Sequence, residues 1–364
     1  MLALLFAIAL SWLGAVGPFL ALELRDKGVD GWAFSLAMTS MPLARLFLGP
    51  LWGALTDRWQ AERRVLLMAA ATSALATVAV WVSPLMLAPV AVFAMASTRV
   101  GVMPLIDSHT TRLMGDGYGR VRAWGSVGFV IAVLTASSLR EHLGVSTLAV
   151  GSVVAALLVP AVFILPAGAP PQKPHPILPA VRELLSDPPV RWLLVAAALH
   201  FMGHSGYHSY FSMHVESLGL GDHWTGIAIA LGVGIEIVLL RYAEPLLERF
   251  GARRLLTAGI ALAIPRWLIT ATAGPMVVIG VQAMHGATFA LFWVGALSRM
   301  TRLAPERIRT SSVAVLGAAV GGVGSMVGTF GGGLLAEGPG TRWVFLAGTC
   351  TATLATLAAL AGRK

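Results

Sequence analysis

The sequence predicts an all-α membrane protein with twelve transmembrane helices in two six-helix halves. Of its 364 residues, 57% are apolar and only 12% are charged, against roughly 25% charged in an ordinary soluble domain. Apolar segments long enough to cross a bilayer as helices, which takes about 20 residues, recur along the whole chain. A proline-rich stretch at mid-chain separates six of these segments from the other six.

The composition also excludes several classes of protein. The single cysteine, Cys350, excludes a disulfide framework and a cysteine-based metal cluster. The net charge of +9 does not indicate nucleic-acid binding, because the basic residues are dispersed between apolar segments. No loop of the type Gly-x-x-x-x-Gly-Lys-Ser/Thr is present, so ATP hydrolysis is not expected. We expect no cofactor and no enzymatic activity.

The predicted spans follow one another with short loops. The first segment lacks the basic start of a secretory signal, so it is interpreted as span one. Since each crossing takes about 20 of the roughly 30 residues available per span, no extramembrane catalytic or binding domain is expected. The approximate bounds are 2–22, 32–56, 65–83, 85–109, 121–139, 147–166, 191–215, 225–245, 255–273, 275–298, 311–336 and 342–361.

The distribution of basic residues predicts the orientation in the cytoplasmic (inner) membrane. Loops after even-numbered spans hold 18 Lys and Arg residues, whereas loops after odd-numbered spans hold only Arg25, Lys27, Arg140 and Arg342. Because basic loops stay in the cytosol, both termini are expected there. Several tryptophans also lie at predicted span ends, where interfacial anchors belong. They are Trp32, Trp81, Trp192, Trp224 and Trp343.

The proline-rich stretch predicts the division into domains. Residues 167–190 contain seven prolines, a composition typical of an extended, semi-rigid connector. The predicted domains are therefore an amino-terminal half, 1–166, a cytosolic linker, 167–190, and a carboxy-terminal half, 191–364. A weak internal repeat supports two equivalent halves, whose substrate site is expected near the membrane midplane. The repeat consists of Asp57-Arg58-Trp59 with Arg63-Arg64, echoed by Glu248-Arg249-Phe250 with Arg253-Arg254.

Span eleven contains glycines at four-residue spacing. This spacing predicts that span eleven packs closely against a neighbouring helix. The glycines are Gly317, Gly321, Gly324, Gly328 and Gly332.

Ionisable residues inside the predicted spans are candidates for function, because each costs roughly 2.5 to 3.5 kcal/mol on insertion. Arg45 lies in span two and Arg99 in span four. Glu236, Arg266 and His285 lie at comparable depth in spans eight, nine and ten, so they can converge. A guanidinium near Glu236 favours the charged carboxylate, as proton coupling requires. The alternative is that these charges only neutralise one another and hold helices together.

Two further sets of polar residues leave alternatives open. Asp107 lies nearer the cytosolic end of span four, and Arg99 is either its partner or a specificity residue. His200, His204 and His208 share one face of span seven, within an arc of about 80° at 100° per residue. Histidines four residues apart can bind a metal, which would indicate an intramembrane metal-binding protein. No carboxylate or cysteine lies beside them in span seven to complete a metal site.

Several motifs resemble those of major facilitator transporters. Gly53-Ala-Leu-Thr-Asp57-Arg58 followed by Arg63-Arg64 is similar to the family's loop motif between spans two and three, although Gln60-Ala61-Glu62 replaces its glycine. Residues 118–126, Tyr-Gly-Arg-Val-Arg-Ala-Trp-Gly-Ser, resemble the start of span five in the phenylpropionate permease-like branch. This branch groups with nucleoside/proton and lactose/proton symporters. Further similar stretches are residues 44–49, 104–107, 232–237, 266–267 and 285–289.

The resemblance implies the major facilitator fold and a set of site residues. Its lactose/proton symporters have a carboxylate one turn after the span-ten histidine, where this chain has Thr288. The residues assigned to proton coupling are Glu236, Arg266, His285 and Asp107. Those assigned to the substrate cavity are Arg45, His204, Tyr207 and Trp267, together with Arg99, which has no counterpart in the family and is included as an ionisable residue of span four. Those assigned to a cytosolic gate are Asp57, Arg58, Arg63, Arg64 and Arg122.

Together these observations predict a secondary active transporter that works by alternating access. Proton symport of a small organic solute is favoured, with protons, that solute and the lipid bilayer as partners and a monomer as the working unit. Because the intramembrane arginines outnumber the acids, an organic or aromatic acid is favoured, with a nucleoside or sugar as alternatives. The rival functions are a proton-antiport exporter of drugs or metabolites, a non-transporting sensor and the intramembrane metal-binding protein.

Overall fold

A computed structural model describes residues 1–59, 61–114, 118–163, 165 and 177–362. These described residues form α-helices joined by short turns, with no β-strand among them. The first part of the predicted linker, 167–176, lies outside the described residues, as does the side chain of Asp57. The all-α class predicted from the sequence is confirmed.

The chain divides into two compact units. Unit 1 contains Met1–Lys173 together with Phe211–Glu216 and Leu220–Ile227, and unit 2 contains Pro174–Tyr210, Ser217–Gly219 and Ala228–Lys364. The main division falls between residues 173 and 174, inside the predicted linker.

The helices of the amino-terminal part of the chain pack around one core of unit 1. They are α1 (Leu2–Val16), α2 (Leu20–Asp26), α3 (Gly31–Phe47), α4 (Gly49–Trp59), α5 (Glu62–Val82), α6 (Ala88–Met114), α7 (Tyr118–Leu143) and α8 (Thr147–Phe163). Leu5 and Phe6 of α1 pack there against Val65 of α5 and Val162 of α8. A Cβ on Gly128 of α7 would lie 2.4 Å from a carbonyl oxygen of α1, so these two backbones touch.

The remaining helices include those of unit 2, which has a core of its own. They are α9 (Ile177–Ser186), α10 (Pro188–Ser217), α11 (Asp222–Arg241), α12 (Ala243–Phe250), α13 (Ala252–Thr272), α14 (Pro275–Val281), α15 (Met284–Leu303), α16 (Arg309–Gly317), α17 (Ser325–Glu337) and α18 (Thr341–Ala361). Phe292 and Met300 of α15 pack there with Ile260 of α13 and Ala355 of α18. Each core is therefore built from helix faces that lie far apart in sequence.

Nine helices among the described residues are long and apolar enough to cross a membrane, and the bent pair α3 and α4 makes ten. Two further predicted spans correspond to the shorter apolar helix α8 and to α10. The 30 residues of α10 suffice to cross a bilayer, but its histidines and serines make it less apolar. The protein is thus a multi-pass membrane protein, and the number twelve stays a prediction.

The end of the predicted linker differs from the extended connector expected from its prolines. Residues 177–186 form α9, in which Leu184 is buried and Val181 packs against the core of unit 2. Glu183 of this helix accepts two hydrogen bonds, of 2.6 and 2.7 Å, from Arg307. Proline is tolerated in the first turn of a helix, which is where Pro179, Pro188 and Pro189 lie.

The glycines of span eleven allow the close packing predicted from their spacing. A Cβ on Gly324 or Gly328 would lie 2.6 and 2.2 Å from carbonyl oxygens of Ala198 and Met202 on α10. Gly317 was expected to do the same, but open space surrounds it, so that part of the prediction is wrong. Between α16 and α17 the span continues as a π-helix, Ala318–Gly324, a geometry that often marks functional sites.

Candidate functional site

Arg266 of α13 lies fully buried inside unit 2 and makes the most contacts of the candidate site. Its Nη2 and Nε donate to Oε1 of Gln282, at 2.9 and 3.3 Å, and its Nη1 donates to the Thr288 hydroxyl at 3.1 Å. The guanidinium also lies over two aromatic rings, 4.0 Å from the centroid of Trp267 and 4.4 Å from that of Tyr207. Cation–π contacts of this kind are worth about 2 kcal/mol when desolvated.

Gln282 is oriented by its own hydrogen bonds. Its Nε2 donates to the Thr270 hydroxyl at 3.1 Å and to the Val278 carbonyl at 2.9 Å, which leaves Oε1 to accept from Arg266. Gln282 lies at a break in span ten, between α14 and α15, where backbone hydrogen bonds run from residue i to i−3. The break therefore places a buried acceptor beside the guanidinium.

The histidines of α10 join this cluster in defined tautomers. Nε2 of His200 donates to the Thr288 carbonyl at 3.2 Å, and Nδ1 of His204 donates to the His200 carbonyl at 3.3 Å. Because a neutral imidazole has one donor and one acceptor nitrogen, Nε2 of His204 is left to accept from Arg266 Nη1 at 3.5 Å. The hydrogen-bond partners of Arg266 in the part of the chain that the structure describes are therefore uncharged. We call Arg266, His204, Tyr207, Trp267, Gln282 and Thr288 the Arg266 cluster.

Glu236 and His285 form a pair beside the Arg266 cluster. Oε2 of Glu236 lies 3.7 Å from Nε2 of His285, whose side chain is 4% exposed against 18% for the glutamate. The His285 ring lies 5.4 Å from the Tyr207 ring and 5.8 Å from the His204 ring. The structure thus brings Glu236, His285 and Arg266, predicted together from sequence, into one neighbourhood of unit 2.

Two glycines allow α11 and α15 to approach at this pair. A Cβ on Gly286 would lie 2.5 Å from the backbone nitrogen of Glu236, and one on Gly232 would lie 2.8 Å from Cβ of His285. Real Cβ atoms do not come this close to other atoms, so only glycine fits at either position. The short distance between Glu236 and His285 therefore depends on both glycines.

The histidine row offers no metal centre in the part of the chain that the structure describes. No group of three or more His, Cys, Asp or Glu side chains there has a geometry that could hold an ion. His200 and His204 are buried with ring centroids 4.3 Å apart, whereas His208 is exposed. His200 and His204 supply hydrogen bonds and packing surface in the surroundings of Arg266.

Unit 1 holds the other predicted cavity arginines. Arg45 lies on α3, three residues after Pro42, and is exposed. Arg99 of α6 is buried, lies 4.3 Å over the Trp12 ring and donates to the Ala9 carbonyl. Among the described residues no hydrogen-bond acceptor reaches its Nη1. Of the two hypotheses for Arg99, a partner of Asp107 or a specificity residue, the first is therefore wrong.

Asp107 has different partners. Tyr118 donates a hydrogen bond of 2.8 Å to its Oδ1, and Nε of Arg122 lies 3.8 Å from the same oxygen. Asp107, assigned to proton coupling, and Arg122, assigned to the gate, thus form one cluster that joins α6 to α7.

The remaining gate residues lie at the turn between α4 and α5. Arg58 and Arg64 are exposed there, and Arg63 donates to the Phe163 carbonyl at the end of α8. The side chain of Asp57 falls outside the described residues.

Sequence reasoning missed a buried pair in unit 1. Nδ1 of His109 on α6 lies 3.1 Å from Oε2 of Glu62 at the start of α5, and both side chains are at most 4% exposed. The signal was Glu62 itself, which occupies a position where the resembled loop motif has no acid. Gln282 was missed as well, although a buried amide in an apolar span was visible in the sequence.

Known proteins show clear similarity to this chain. The model of the MFS_1 like family matches residues 1–347. Maltose permease of Geobacillus stearothermophilus is 31% identical over 340 residues, which cover 91% of this chain and 84% of the permease. The probable 3-phenylpropionic acid transporter of Escherichia coli (strain K12) is 29% identical over 238 residues, 62% of this chain and 61% of that protein.

Solved structures share the fold. The nucleoside transporter NupG matches with a TM-score of 0.84 at 18% identity, over 99% of this chain and 97% of NupG. The xylose transporter XylE from E. coli matches with a TM-score of 0.74 at 15% identity, over 100% of this chain and 95% of XylE. Because the family model matches nearly the whole chain and the fold is shared, we conclude that the protein is a transporter of small solutes that belongs to the MFS_1 like family of the major facilitator superfamily.

Proposed function

We propose that this transporter is a proton symporter of a small organic solute and that Glu236 carries the coupled proton. The observation that supports this most is the Glu236–His285 pair, 3.7 Å apart and beside the buried Arg266. Ionisable groups this deep in a transporter mark proton or substrate pathways. As in other transporters of this architecture, the solute crosses by alternating access.

The charges around Glu236 give a physical reason for coupling. The hydrogen-bond partners of the Arg266 guanidinium within the described ranges are uncharged, so its positive charge favours the ionised form of a carboxylate nearby. A proton on Glu236 removes that negative charge and leaves the neighbourhood positive. An anionic solute then binds more favourably, which links proton binding to solute binding.

An organic or aromatic acid is the solute class we favour. Arg45 is an exposed residue on α3 of unit 1, and Arg99 is stacked on Trp12, with no carboxylate of the described residues in ion-pair contact with it. Planar guanidinium groups recognise carboxylates well. The probable 3-phenylpropionic acid transporter among the relatives points to the same class.

A sugar is the second candidate. The specific observation is the 31% identity to a maltose permease over most of both chains.

Thermal stabilisation of the purified protein by added solutes tests these candidates. A solute that binds only the folded protein at 100 times its Kd stabilises by about 2.7 kcal/mol. We expect stabilisation by aromatic acids, and we expect Arg45→Gln to remove it without changing the melting temperature of the solute-free protein. Stabilisation by maltose that Arg45→Gln leaves intact would establish the sugar instead.

We further propose that the monomer works in the cytoplasmic membrane with both termini in the cytosol. The basic loops support this orientation. In that orientation Asp57, Arg58, Arg63, Arg64 and Arg122 lie at the cytosolic ends of the helices, where they would act as a gate. Proteoliposomes that contain the purified protein can measure both proton coupling and the direction of transport. Outward movement of the solute against an opposing flow of protons would identify an exporter.

A further inference from the structure

An open cavity of about 870 Å³ lies on unit 2, at the ends of four helices, one of which is α12 with Phe250. The first turn of α13 and the last turns of α15 and α18 all contribute to it. These turns also end the apolar spans Ala252–Thr272, Pro275–Leu303 and Thr341–Ala361. The cavity therefore lies where the hydrocarbon core of a bilayer gives way to the headgroups.

Four arginines line this cavity, and no acidic residue is among its described lining. They are Arg253, Arg254, Arg299 and Arg302. Arg299 donates one hydrogen bond of 2.6 Å to the carbonyl of Gly362, while Arg254 and Arg302 are exposed. Four like charges around one cavity repel one another, and an anion inside it would relieve that repulsion.

The backbone adds to this preference. The helix α13 begins at the cavity without a side-chain cap, so the backbone N–H groups of its first turn can donate to another acceptor. The amino-terminal end of a helix also carries a partial positive charge that favours phosphate.

The wall of the cavity further along α13 is largely apolar, with Thr257 as its polar member. Ala258 and Ala261 line it one to two turns further along α13, and Ala258 is exposed. A soluble anion would leave this wall uncovered, whereas a molecule with a phosphate at one end and a hydrocarbon chain at the other would cover both parts.

From this arrangement we infer that the cavity is a binding site for an anionic phospholipid. The headgroup phosphate contacts the four arginines, and an acyl chain lies along Ala258 and Ala261. Basic pockets between transmembrane helices bind anionic headgroups in this way. The site is separate from the Arg266 cluster and does not depend on which solute is transported.

Native mass spectrometry of the purified, delipidated full chain tests the inference. Dioleoylphosphatidylglycerol, cardiolipin and dioleoylphosphatidylethanolamine are added back separately. We expect the two anionic lipids to remain bound and the zwitterionic lipid to dissociate. The double variant Arg254→Gln/Arg302→Gln should bind the anionic lipids about thirtyfold more weakly, because two charges are removed. The control Arg182→Gln/Arg309→Gln removes two exposed arginines of the same unit outside the cavity and should bind as wild type.

A second variant separates a lipid from a soluble anion. Ala258→Trp fills the apolar wall from an exposed position and leaves every arginine in place, so it should weaken lipid binding at unchanged melting temperature. Inorganic phosphate should not displace the lipid at millimolar concentration. Equal binding of all three lipids, or no effect of the cavity arginines, would overturn the inference. Displacement by phosphate with no effect of Ala258→Trp would do so too, because the occupant would then be a soluble anion.

Discussion

The carboxylate of Glu236 lies 3.7 Å from Nε2 of His285, and it does so because the backbones of α11 and α15 touch at that level. The contact is possible only with glycine at positions 232 and 286. The positions of Glu236 and His285 thus depend on two neighbouring residues, Gly232 and Gly286, that have no side chain.

Glu236→Gln should uncouple transport. The amide cannot take up a proton, so accumulation of solute against its gradient should fall at least tenfold, while exchange of solute across the membrane continues. Proteoliposomes that contain a pH-sensitive dye measure both quantities together. Glu244→Gln, which removes an exposed carboxylate just after α11, is the matched control and should accumulate solute normally. Uphill uptake by Glu236→Gln would place the proton site elsewhere, with Asp107 and His285 the next candidates.

Gly286→Ala should damage the same pair by steric means. The added methyl group would lie 2.5 Å from the backbone of Glu236, and overpacking of this kind costs typically 1–3 kcal/mol. We expect a lower melting temperature and impaired accumulation. Gly280→Ala is the control, since no atom lies within 4 Å of its added methyl group. Equal behaviour of the two variants would show that the close approach is unimportant.

Gln282→Leu should destabilise unit 2. The leucine fills a similar volume but leaves the buried Arg266 without its shortest hydrogen bond, and an unmet buried polar group costs about 1–3 kcal/mol. Thr288→Val removes one acceptor of Arg266 and should cost less. Thermal unfolding in detergent ranks the two variants against wild type. A smaller loss for Gln282→Leu than for Thr288→Val contradicts the central position given to Gln282.

Asp107→Asn should loosen the junction of α6 and α7. It weakens the hydrogen bond from Tyr118 and the ion pair with Arg122, and at this half-exposed site we expect a loss of about 1 kcal/mol. Tyr118→Phe removes the hydrogen bond alone and should have part of the effect. Labelling of single cysteines placed near residue 120 measures the opening. Unchanged labelling in both variants would remove Asp107 and Arg122 from any gating function.

Reporter fusions test the orientation. A reporter that is active only in the cytosol should be active when it is fused after Lys364 or inserted near His175, whereas a reporter that needs the periplasm should be inactive at both sites. Periplasmic activity at either site is incompatible with the basic-loop count and with the cytosolic linker.

Much of the fold was predictable from the sequence because lipid imposes long apolar helices, and these are visible as apolar runs. The linker was harder to predict. Its prolines suggested an extended connector, yet Val181 and Leu184 repeat at helical spacing and pack α9 on the core of unit 2.

The candidate site was predictable only for its charged members. Glu236, Arg266 and His285 are conspicuous because ionisable residues inside spans are rare. Gln282 and Thr288 are neutral, and nothing in a one-dimensional pattern indicates that they supply the acceptors of Arg266. The pair Glu62 and His109 escaped notice because its members lie 47 positions apart and meet only through the packing of α5 on α6.

The break at Gln282 changes the directions in which side chains before and after it point around the axis of span ten. Residues bonded from i to i−3 advance about 120° each, compared with about 100° in an α-helix, so each such residue turns the chain about 20° further. A helical wheel drawn through span ten as one regular helix is therefore out of phase from residue 284 onward. The phase of the wheel has to be reset at Gln282 before any face of α15, including the one that carries His285, is compared with α14.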